Sequence, residues 1–233
     1  MNMTEEPTPA VQPDALAKAS AMRMEKWGGF ASFVMAAAIV AAHWYYLTGN
    51  LGDAVGRYAY SLADVLYGPV WGVCLVTAVY ALREQIGRRA PRLMTLALVI
   101  TLAAACTLVT VAAIRSANRY YHIMHPYLNL ENSTMVLTVW ATLVMGMIGA
   151  AFHFLGWSLA LIGIAGWTTG RLPRPLSVLY LVAGLVSLGV IVNPALEGTA
   201  LALVLALSLW QGIVLWRADP EDLASARLSS GMI

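Results

Sequence analysis

The sequence predicts an all-α integral membrane protein: a six-transmembrane-helix bundle with both termini cytoplasmic. Three observations lead there. Of 233 residues, 60% are hydrophobic and only 11% charged, whereas a soluble domain carries about 25% charged residues. The apolar residues gather in six runs, each near the roughly 20 residues needed to cross about 30 Å of hydrocarbon. Basic residues concentrate in alternate connections, as the positive-inside rule requires. The runs are too long and too uniformly apolar for barrel strands, and inside lipid the backbone must then pair with itself as helix.

Residues 1–26 read as a cytoplasmic tail, rich in Pro and Glu up to Pro13, with Ala15 to Lys26 as a short helix on the inner interface. Span one covers residues 27–48 and stops at Gly49-Asn50. It is longer than a signal-peptide apolar region and reads as a retained signal anchor. Span two covers 61–82, with a kink at Pro69. Span three covers 93–115 and span four 139–168. Apolar character before span four begins near Met135, too early for one untilted crossing, and no breaker follows Arg115 until Pro126. Both helices should therefore project beyond the outer surface, giving a small cap over residues 115–145 with its tip at Asn129 to Asn132. Span five covers 175–192 and span six 198–216, followed by a polar tail, 218–233. Together, residues 27–217 form one transmembrane domain.

Orientation rests on Arg83, Arg88, Arg89 and Arg92 between spans two and three, Arg171 and Arg174 between four and five, Lys18, Arg23 and Lys26 before span one, and Arg217 after span six. The other side carries only Arg57, Arg115 and Arg119. The expected setting is a cell inner membrane, with the lipid bilayer as the main partner. Other membrane subunits or a homo-oligomer are further expected partners. A net charge of +2 gives no reason to expect nucleic acid.

The run Phe152-His153-Phe154-Leu155-Gly156-Trp157 is followed by Gly170-Arg171-Leu172-Pro173-Arg174-Pro175-Leu176, Val182-Ala183-Gly184-Leu185 and Leu209-Trp210-Gln211-Gly212-Ile213. Over residues 140–217 this pattern resembles a bacterial membrane family, the domain-of-unknown-function family 4386. Gly163 and Gly166 depart from it, standing where longer aliphatic residues are typical. The resemblance implies six helices and a bacterial inner membrane. It brings no activity and no functional residue.

All four histidines fall in the outer half. His43 lies one turn below the outer end of span one, and His153 at a similar depth in span four. This pair would serve as axial ligands to a haem. His122 and His125 share a helix face at i, i+3. With Glu131 they make a candidate transition-metal site. An ordinary aromatic belt, His43-Trp44-Tyr45-Tyr46, explains the first of these equally well. A third constellation is a ligand pocket of Asp64, Arg115, Tyr45 and Tyr121. Ionisable groups inside a span usually face the bundle interior and mark function, although Asp64 stands close enough to the outer end to reach water. Glu197 reads as the acidic first turn of span six, and Gln211 as a structural hydrogen bond to a neighbouring helix. Gly146, Gly149, Gly156, Gly163 and Gly166 predict close helix approach along span four and a central place for it. Cys74 and Cys106, at different depths, should be free, buried thiols.

No P-loop, HExxH, GxSxG or CxxCH motif is present, so no enzyme class is indicated. Three functions follow, in this order: a non-enzymatic subunit or accessory protein of a membrane assembly; a metal- or haem-binding redox protein; a small-molecule or lipid transporter or receptor.

Overall fold

The computed structural model describes residues 13–49, 56–124 and 134–217, with the side chains of 24–47, 59–119 and 138–217. The helices are α1 (Pro13–Gly49), α2 (Gly56–Val65), a π-helical turn (Leu66–Val70), α3 (Trp71–Ile86), α4 (Pro91–Met124), α5 (Thr134–Thr169), α6 (Arg174–Gly189) and α7 (Glu197–Arg217). A short 3-10 turn, Pro194–Leu196, leads into α7. No strand occurs among the described residues. Five helical stretches are long and apolar enough to cross a bilayer, and α6 is a shorter apolar helix of 16 residues. The chain is a membrane-spanning helical protein.

Two boundaries in particular differ from expectation, and one extension agrees with it. The segment Ala15–Lys26 is not a separate helix: α1 runs unbroken from Pro13 to Gly49, because Gly28 and Gly29 are the only weak helix formers at the join. The fifth span is shorter than 175–192, since α6 gives way to a turn at Val190–Val192 before Pro194. The third helix runs on to Met124, so α4 reaches 34 residues and α5 36. Those lengths exceed a single perpendicular crossing, as the cap requires. The cap's tip at Asn129 to Asn132 and the two terminal tails lie outside the described residues.

The spans pack in chain order around a ring. α1 packs on α3, α3 on α4, α4 on α5, α5 on α6 and α6 on α7, and α7 closes on α1. Span four is the most enclosed of the five long helices. It is not a hub, however: its extensive contacts are with its two sequence neighbours. Its glycines divide accordingly. A Cβ at Gly156 would stand 2.8 Å from the Gly184 carbonyl, and one at Gly163 2.8 Å from Leu181, so α5 and α6 meet backbone to backbone. Gly146 has nothing within 4 Å and does not serve packing.

The two ends of the ring differ. At one end the Gly28 backbone lies against Ala81 and Leu215, bringing the start of span one beside the ends of spans two and six. There Arg89 Nη1 also donates to the Thr169 carbonyl at 3.4 Å, capping the end of α5. Arg83, Arg88, Arg89, Arg92, Arg171 and Arg174 all belong to this arginine-rich end. The far end gathers the C-terminal turns of α1 and α4 with the starts of α2 and α7.

Inside, Met35, Trp71, Leu82, Leu155, Leu176 and Leu207 are fully enclosed. Two pairs of buried polar groups bond across helices: Thr101 with Ser158 at 2.6 Å, and Tyr180 Oη donating to Gln211 Oε1 at 2.5 Å. Gln211 thus plays the structural part expected of it. Outside, Val73, Val99, Trp157, Leu185 and Ile213 are among many large apolar side chains left exposed. A surface this apolar is a lipid-facing surface. Cys74 and Cys106 are free as expected, but Cys106 is exposed on that outer face instead of buried.

Candidate functional site

Span two is the scaffold of the far end. A proline at position 69 has no N–H to give and its ring displaces the preceding turn. The helix answers with the π turn Leu66–Val70, in which the Trp71 N–H reaches back to the Leu66 and Gly68 carbonyls. Gly68 is buried in this turn, and a Cβ there would overlap Ala112 of α4. The close approach brings the far-end half of span two against the far-end half of α4.

Asp64 is consequently enclosed, at 1% exposure, and does not reach water as its position suggested. Its carboxylate is held by three groups. Arg115 Nε lies 3.3 Å from Oδ1, Arg119 Nη2 pairs with Oδ2, and Tyr46 Oη donates to Oδ1 at 2.7 Å. The arginines come from one face of α4 at i, i+4. Each also lies over a ring: Arg115 is 4.8 Å from the Tyr46 centroid and Arg119 5.6 Å from that of Tyr60. A carboxylate at this depth is stable only with such full pairing.

Beside this cluster is a cavity of about 120 Å³. Tyr46 and His43 of α1, Asp64 and Tyr67 of span two, Arg115 of α4 and Glu197 of α7 supply its polar wall. Trp71, Leu108, Phe152 and Leu201 supply the apolar floor. From Arg115 down to Leu108 is seven residues of helix, so the cavity reaches about 10 Å inward. Tyr46, Tyr67 and Trp71 line one side as a stack, with successive centroids 6.0 and 5.7 Å apart. His43 Nδ1 is 3.4 Å from Tyr67 Oη.

Two groups in the wall are unengaged. Glu197 faces Arg115 and His43 electrostatically, but no ion pair or hydrogen bond holds its carboxylate among the described residues. Trp71 is buried at 1% exposure, and its Nε1–H has no acceptor among them. A buried donor without an acceptor is uncommon and calls for an explanation.

The expected site residues divide as follows. Asp64 and Arg115 come together in the cavity wall. Tyr45 does not: it lines a separate groove on the lipid side, and Tyr46 takes the place expected of it. The one-residue slip is a turn of about 100° around α1. His43 lines the cavity while His153 does not. His153 Nε2 instead accepts from Trp157 Nε1 at 3.2 Å, one turn along α5, so the two are engaged with different partners. No group of three or more potential metal ligands occurs among the described residues. The side chains of His122, His125, Glu131 and Tyr121 lie outside them. Tyr67, Trp71, Arg119 and the cavity-facing role of Glu197 escaped the sequence reading. The spacing Tyr60, Asp64, Tyr67, Trp71 (i, i+4, i+7, i+11) was a signal for them, since it marks one helix face.

No family model, curated protein or solved structure matches the chain. The likeness to the domain-of-unknown-function family 4386 therefore rests on the quoted residues alone.

Proposed function

We propose that the chain is a ligand-binding membrane protein of the receptor type, whose outer-face cavity takes a small ammonium-bearing ligand with Glu197 as its counter-ion. The observation that carries this reading is the convergence of three charged side chains, Asp64, Arg115 and Glu197, from three separate spans on one cavity with an apolar floor. Pockets of this make-up, mostly apolar with a few convergent polar groups, are the usual form of small-molecule sites. Asp64 is already occupied by two arginines, which leaves Glu197 as the unsatisfied charge. The aromatic stack favours a cation over its faces, and Trp71 Nε1–H offers a donor to an oxygen of the same ligand. With Arg119 also paired to Asp64, the charges around the cavity balance, and a ligand carrying both an ammonium and an anionic oxygen preserves that balance. The floor closes about 10 Å in, which favours binding over passage. The glycine faces that would recommend an accessory subunit are used within this chain, between α5 and α6 and between α1 and α7. The arginine-rich end is assigned to the cytoplasm of a cell inner membrane, with both chain ends there, and the cavity to the outside.

Phosphoethanolamine is the probe of choice, titrated calorimetrically into the protein held in amphipol. Saturable binding is expected, with affinity at least tenfold lower in Glu197→Gln and an unchanged melting temperature. Absence of saturable binding by the wild type, or equal affinity in the variant, would overturn the assignment.

A further inference from the structure

On the lipid side of the seam between α1 and α7 runs a groove of about 610 Å³. Ala36, Ala37 and Ala41 form its floor, Phe33 and Trp44 stand along α1, and Leu205 and Leu209 face them from α7. From Phe33 to Trp44 it extends about 16 Å, the length of a dozen or so methylenes.

The groove and the cavity are lined by successive positions of the same two helices. Glu197, Leu201, Leu205 and Leu209 follow one another at four-residue spacing on α7. Such a stripe drifts about 40° per step around a helix of 3.6 residues per turn. It therefore starts inside the ring and emerges toward lipid: Leu201 is 6% exposed and Leu209 44%. The first two line the cavity and the last two the groove. On α1 the same happens, with His43 in the cavity wall and Trp44 in the groove. The tight glycine contacts of this seam, Gly29 on Trp216 and Gly212 on Phe33, all belong to the arginine-rich half. The helices are clamped at the arginine-rich end, where Phe33 also begins the groove, and the groove runs from there toward the far end, where the cavity lies.

We infer that the cavity's ligand is a membrane amphiphile: a phospholipid whose ammonium-bearing headgroup enters the cavity while one acyl chain lies in the α1–α7 groove. This rests on the function proposed above and names the ligand's class. Charge and continuity argue for it. A polar cavity bearing a carboxylate without an ion pair and an apolar groove follow one another along the same helical stripe of α7, an order that matches one headgroup joined to one chain.

The test compares phosphoethanolamine with lyso-phosphatidylethanolamine of increasing acyl length, on wild-type protein in amphipol and on Ala37→Trp. Ala37 is exposed on the groove floor, so the indole fills the groove without entering the core; Leu205→Trp serves if that variant does not fold. In the wild type, affinity should rise at least tenfold from headgroup to lyso-lipid and keep rising with chain length. The groove variant should lose that rise and retain headgroup binding. Equal affinity for headgroup and lyso-lipid in the wild type, or an equal rise in the groove variant, overturns the lipid assignment while leaving the pocket intact. Failure of the wild type to bind either probe overturns both.

Discussion

Asp64 holds two guanidinium groups that would otherwise stand in a poorly solvated wall, each less than a quarter exposed or close to it. Removing one partner of a buried ion pair leaves an uncompensated charge and costs about 3 kcal/mol or more. Asp64→Asn should accordingly lower the melting temperature in detergent by several degrees. Adding Arg119→Gln to it should recover part of the loss; an additive further loss would mean that the pair is not coupled. At this scale the sequence was only partly legible. An aspartate within a span is a recognisable signal, and a shared pocket for Asp64 and Arg115 was readable from it, but not which cation would pair with the carboxylate. The choice of Tyr46 over Tyr45 was not, because adjacent residues on a helix face different neighbours and only the packing of α1 decides which of them points inward. Glu197 shows a further limit. Its position at a helix start accounts for a carboxylate on helix-dipole grounds alone, so nothing in the local sequence required that it also line a cavity.

Among the elements, the π turn of span two is the one on which the site depends. Pro69 announces a disturbance in any helix, but proline kinks and π turns share that signal, and the widened turn is distinguished only by what it lets its neighbours do. Here it presents the backbone at Gly68 to Ala112 without a side chain between them. Gly68→Ala would place a methyl group in overlap with Ala112, and overpacking of this kind costs about 1–3 kcal/mol. The expected result is a lower melting temperature together with weaker phosphoethanolamine binding, since the same approach sets the position of Asp64 against Arg115. Retained affinity in a destabilised Gly68→Ala protein would show that the turn supports the fold but not the site. α6 teaches a similar lesson. Its apolar run is continuous in sequence to Val192, yet the helix stops at Gly189 because Asn193-Pro194 draws the preceding residues into a turn.

For the whole molecule, hydropathy and the distribution of arginine were enough to read a helical membrane protein, because lipid leaves the backbone so few solutions. The order of helices in the ring was not readable, since apolar faces in lipid do not announce their partners. Sidedness is open to direct measurement. In a background of Cys74→Ala and Cys106→Ala, a membrane-impermeant maleimide should label Ala195→Cys on intact cells and Arg88→Cys only after lysis. The reverse pattern would invert the orientation and place the cavity on the cytoplasmic side. Ring closure by α1 and α7 has one more consequence, which concerns time. Ribosomes deliver the amino-terminal helix first, whereas the cavity takes His43 and Tyr46 from the first helix and Glu197 and Leu201 from the last. Five spans can be inserted and packed, yet the cavity has no far wall until α7 arrives, so a chain stopped before α7 is a helical membrane protein with that cavity open on one side. Closure of the cavity wall therefore waits on the arrival of α7.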